Sequence, residues 1–82
     1  MVIDNEVKET LENSLSVEIS TNDWTSIRQC LRCLIQGHRI KNKEILKGYP
    51  KIDAQKALNL LIKEARASGN VLEAARKLSF IE

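Results

Sequence analysis

Three side chains close together in the chain are of types that hold metals or exchange electrons: Cys30, Cys33 and His38. Zinc needs four ligands, best supplied as thiolate or imidazole, and no second pair of such residues occurs elsewhere. A redox pair would want its first cysteine exposed at a helix N-terminus, where the thiol pKa falls. Cys30 and Cys33 instead sit in the middle of a helical pattern. Cys30 lies at the edge of its apolar face and Cys33 further round. The expectation is therefore two packing residues, with no metal, no cofactor and no disulfide between them. Catalysis is equally poorly served. His38 is the single histidine, nothing resembles a nucleophile with its base and orienting group, and Gly37, Gly48 and Gly69 read as helix C-caps rather than a phosphate loop. The chain is not expected to be an enzyme.

The basic and amide residues carry more. Residues 1–27 hold six acids against Lys8 alone, whereas residues 28–82 hold twelve bases against five acids, so a net charge of +2 conceals a polarised molecule. Such segregation suits a polyanionic partner, or two halves that attract each other. Most of the excess falls between Arg28 and Lys56. Gln55, Asn59, Lys63 and Arg66 then recur at spacings of four, four and three, opposite an apolar stripe. Gln and Asn pair bidentately with adenine, while Arg and Lys read guanine or neutralise phosphate. Lys41, Lys43, Lys47 and Lys51 flank the preceding turn, where phosphate contacts would be wanted, and Arg39 and Lys56 of the basic excess join them. These ten residues form the expected nucleic-acid-binding set.

The elements that would position them are helices. Ile3, Val7, Leu11 and Leu15 are spaced by four and predict an acidic helix over 3–15. Alternation from Leu15 to Ser20 reads as an extended link, since no second strand is evident to pair with it. Ser20, Thr21, Asn22 and Asp23 are all N-cap types. After them, Trp24, Ile27, Leu31 and Leu34 predict a central helix that Gly37 ends. Asn42 would cap a short helix carrying Ile45 and Leu46, closed by Gly48 and Pro50. Asp53 would cap the longest helix, with Leu58, Leu61, Ile62 and Ala65 inward and Gly69 at its end. Asn70 and Glu73 have the spacing of a capping box opening a last helix, with Leu72, Ala75 and Leu78 inward. A basic helical core over 22–80 thus follows the acidic helix.

The run from Arg39 to Gly69 (short helix, tight turn, long helix) resembles the core of a helix-turn-helix domain. Gly69-Asn-Val-Leu-Glu-Ala-Ala-Arg-Lys-Leu78 resembles the first half of the Fis-type helix-turn-helix, where such a run packs below a recognition helix. The chain ends at Glu82, where that recognition helix would begin. Tyr49-Pro50, a helix, and Gly-Asn-Val-Leu-Glu-Ala-Ala are similar to the ubiquitin-associated and CUE three-helix modules. Those carry Phe-Pro and a paired Leu where this chain has Tyr-Pro and Leu78 alone.

The expectation is one all-α domain over 1–82, a bundle of four to five helices with a helix-turn-helix-like core. Eighty-two residues allow no second domain. No apolar run is long enough to span a membrane, and no signal peptide opens the chain, which implies a cytoplasmic, nucleoid-associated or nuclear protein. The expected function is a small regulator binding DNA through Arg39–Arg66. A protein-interaction module, an adaptor or inhibitor docking an acidic partner surface, is the alternative. Extra burial in a homodimer would help so small a core.

Overall fold

The computed structural model describes residues 5–36, 44 and 52–79. Among them the regular elements are four α-helices: α1 (Asn5–Leu15), α2 (Thr21–Gln36), α3 (Ala54–Ser68) and α4 (Val71–Leu78). The protein is all-α, as its periodicity requires. The short helix expected from Asn42, with Ile45 and Leu46, lies outside the described residues, and so do the turn through Tyr49-Pro50 and Gly37.

Helix starts follow local chemistry. Ser20 Oγ accepts from the Asp23 N–H at 3.2 Å, so Ser20 is the member of its polar cluster that acts as the cap of α2. Asp53 has extended backbone and its carboxylate accepts from the Lys56 N–H at 2.8 Å. Asn70 does the same for the Glu73 N–H at 3.1 Å. No return bond from the Glu73 carboxylate completes a capping box; that side chain instead meets Arg76 Nη1 at 3.4 Å.

The ends are equally specific. Gly69 closes α3 in the left-handed region (φ +77°), and its N–H bonds the Ala65 carbonyl at 2.8 Å. An added Cβ there would meet nothing within 4 Å. Gly69→Ala is therefore expected to cost only the conformational strain, about 1–2 kcal/mol, measured as a lowered urea midpoint with an unchanged slope. The end of α1 is less orthodox. Ser16 takes the left-handed conformation (φ 54°) while the Val17 N–H reaches back to the Glu12 carbonyl at 3.1 Å. This is the six-to-one bond of a Schellman ending, built on a serine. The Glu12 carboxylate then accepts the Ile19 N–H at 2.9 Å. That contact turns the extended link so that Ile19 drops into the core at 5% exposure.

α3 is the organising helix. It packs against α1, α2 and α4, and α2 also meets α4. The core unites Val7, Leu11 and Ile19 with Trp24, Ile27, Leu31 and Leu34 of α2, Ala57, Leu58, Leu61 and Ala65 of α3, and Ala74, Ala75 and Leu78 of α4. Ile62 and Leu72, expected inside, are half-buried against this cluster. Small residues at 57, 74 and 75 are fully buried, which lets α3 and α4 approach closely. Trp24 is buried at 8% exposure, as its place at the head of the stripe implies. Among the described residues no helix is long and apolar enough to cross a membrane.

Candidate nucleic-acid interface

Because three helices crowd α3, the part of it left to solvent is narrow. Gln55, Lys56, Asn59, Lys63 and Arg66 are all exposed. At 100° per residue they lie within about 100° of one another around the axis. The structure thus brings together five of the ten expected contact residues on one stripe. The other five, Arg39, Lys41, Lys43, Lys47 and Lys51, lie outside the described residues.

The charge of that stripe has one sign. Glu64 is the one carboxylate within α3, and it turns away, half-buried, with Oε1 3.8 Å from Lys77 Nζ on α4. Asp53 precedes the helix and is engaged with its first amides. Lys63 and Arg66 therefore face solvent on the side of the helix away from Glu64, with Lys56 exposed at the edge of the stripe nearer Asp53. Ile62 borders the stripe but packs inward against the core. Among the described residues the exposed large hydrophobic side chain is Val17, at 42%, on the link after α1 rather than on α3.

Gln55 and Asn59 are coupled: Gln55 Nε2 donates to Asn59 Oδ1 at 3.2 Å. The bond fixes both amides in one orientation on the surface. It leaves the Gln55 carbonyl as an acceptor and the Asn59 amide as a donor pointing from neighbouring turns. An adenine edge, with N6–H and N7, offers the complementary pair. The spacing of four puts both amides on one face; their hydrogen bond depends on side-chain geometry that spacing does not give.

The cysteines are packing residues. Cys30 is fully buried and Cys33 is 6% exposed, both as free thiols in the core. The face of α2 turned inward is thus broader than the Trp24–Leu34 stripe, and it takes in Cys33 as well. Burial pushes the Cys30 thiol from 9.0 to about 11, opposed by a hydrogen bond with Ser79 and reinforced by the neighbouring Cys33. Ser79, itself fully buried, also donates through Oγ to the Ala75 carbonyl at 3.4 Å, so a polar seam joins α2 to the end of α4. Nothing in the residue type of Ser79 announces this. His38 lies outside the described residues; among those described, no group of three or more His, Cys, Asp or Glu is arranged to hold a metal.

The raised thiol has a pH consequence. Between pH 9.0 and about 11 the folded protein holds a proton on Cys30 that the unfolded chain has released. Stability should therefore be unaffected by this group below pH 9 and fall as pH rises through that interval. Cys30→Ala should lose that part of the decline, measured by urea denaturation at a series of alkaline pH values. In the native protein at pH 8, Cys30 should resist thiol reagents until the chain unfolds.

Two concavities border these elements. One, of about 280 Å³, runs between the end of α1 and the α3–α4 junction, lined by Leu15, Val17, Arg66, Asn70 and Val71 among others. The second, about 730 Å³, follows α2 past Trp24, Thr25, Arg28, Gln29, Arg32 and Gln36. Comparison with protein-family models, with curated proteins and with solved structures finds no match to this chain.

Proposed function

We propose that the chain is a small regulatory protein that binds duplex DNA through the exposed face of α3. The supporting observation is the exposed stripe of Gln55, Asn59, Lys63 and Arg66, with Lys56 at its edge, on a helix braced by three others. A rigid helix offering amides and cations, with its apolar side spent on the core, suits insertion into a major groove. Lys63 and Arg66 neutralise phosphates or meet guanine, and the coupled Gln55–Asn59 pair meets an adenine edge. Arg39, Lys41, Lys43, Lys47 and Lys51 precede α3 in the sequence and supply further phosphate contacts in this reading. The helix-turn-helix likeness of residues 39–69 supports the same assignment.

The acidic-protein alternative is less well served by the same face. Protein interfaces centre on buried apolar or aromatic anchors, and the α3 stripe presents none. Titration of a labelled random-sequence duplex at low and moderate salt separates the two. DNA binding should weaken by orders of magnitude as salt rises and be competed by unrelated duplex. Absence of any binding at low salt would overturn the reading and leave the adaptor in its place.

A further inference from the structure

The solvent side of α2 has a composition that its position on a small bundle does not explain. Thr21, Asn22, Thr25, Gln29, Arg32 and Gln36 are exposed, and Arg28 is half-buried beside them. An ordinary solvated helix face mixes Lys with Glu; this one has no carboxylate and no lysine. Asp23, the helix's one acid, lies on the other side of the axis, about 140° round from Arg28 and more from Arg32. Arg28 and Arg32 stand four apart, which brings their stems within about 5–6 Å. Neither has a hydrogen-bond or ion-pair partner among the described residues. The Arg28 Nε is more than unpaired: it is buried from solvent with nothing to accept its proton. Buried donors are nearly always satisfied, so a guanidinium held this way lacks its acceptor.

We infer that the groove along α2 is a second contact surface for a nucleic-acid backbone, with Arg28 and Arg32 bridging neighbouring phosphates. Thr25 and Gln29 supply neutral hydrogen bonds to the same strand. Phosphodiester rather than acidic protein is favoured by what the face lacks. Trp24 and Cys33 touch the groove but are more than nine-tenths buried. An acidic protein would thus find cations without an apolar centre to pack on. Phosphate recognition uses Arg, Thr, Asn and Gln and needs no such centre. The inference shares the ligand class of the α3 reading but stands on a different helix, and the two fail separately.

Trp24 makes the test site-specific, since it is the one tryptophan of the chain and lines the groove. A 20-base-pair random duplex and its single strand are titrated at low salt into wild type, Arg28→Gln/Arg32→Gln and Lys63→Gln/Arg66→Gln. Anisotropy of the labelled nucleic acid and Trp24 emission are followed together, with circular dichroism confirming that each variant is folded. Wild type should bind with a change in Trp24 emission. The α2 double variant should lose at least tenfold in affinity, lower the salt slope by about two, and abolish the emission change. The α3 variant should keep the emission change even where its affinity falls. Wild-type affinity in the folded α2 variant overturns the inference and leaves the α3 reading intact. Wild-type affinity in the α3 variant overturns that reading and leaves this one. Binding of poly-glutamate instead of either nucleic acid, lost on Arg28→Gln/Arg32→Gln, overturns both in favour of an acidic protein partner.

Discussion

Leu61→Ala is expected to destabilise the protein by about 2–5 kcal/mol, the largest loss available from a single truncation of this kind. Leu61 is fully buried on α3, the helix against which the other three pack. A cavity there cannot be closed by moving one neighbour, because shifting any one of them opens a gap against the next. An 82-residue domain has about 4–12 kcal/mol in all, at about 0.05–0.15 kcal/mol per residue. The truncation thus removes a large fraction of the total, and at the upper end of its range it leaves a substantial unfolded population at 25 °C. Equilibrium urea unfolding followed by Trp24 emission measures it. A loss below about 1 kcal/mol would mean that α3 is not the hub of the core.

The second large effect is on binding. Lys63→Glu/Arg66→Glu places two acids on a stripe that now carries none, at exposed positions where the fold has no stake in the side chain. With a slope of about −0.9 per neutralised phosphate, one contact contributes roughly eightfold in affinity at about 0.1 M salt relative to about 1 M, and two about sixtyfold. Reversal adds repulsion, so a loss of about two orders of magnitude in duplex affinity is expected, with the unfolding midpoint nearly unchanged. Gln55→Ala or Asn59→Ala should behave differently. Each should relax discrimination at single base positions by about 1–3 kcal/mol while leaving the salt slope alone.

Much of this frame was legible from residue types at fixed offsets. Asp53 with Gly69, and Asn70 three before Glu73, mark helix limits because the backbone groups they satisfy are local. Stripes such as Ile27, Leu31 and Leu34 gave the buried sides for the same reason. What escaped depends on contacts far apart in the chain. Ser16 carries no signature of a left-handed cap, and Ile19 looked like a link residue until Glu12 turned that link inward. Ser79 is polar and fully buried because Cys30 of α2 meets it there. Periodicity names the inward side of one helix at a time. It could not tell that α3 is enclosed on three sides, which is what narrows its exposed surface to the Gln55–Arg66 stripe. Composition alone merges Arg28 and Arg32 into the general basic excess, whereas the folded helix gives them a face of their own without an acid.

The most direct measurement is residue-resolved: amide chemical shifts of the ¹⁵N-labelled protein during titration with a short duplex at low salt. Binding through α3 and α2 should put the largest perturbations on Gln55, Asn59, Lys63 and Arg66, with a second set at Arg28 and Arg32, and little change at Leu11, Leu31 or Leu61. Perturbations concentrated instead on Leu15, Val17 and Val71, or none at all at low salt, would contradict it.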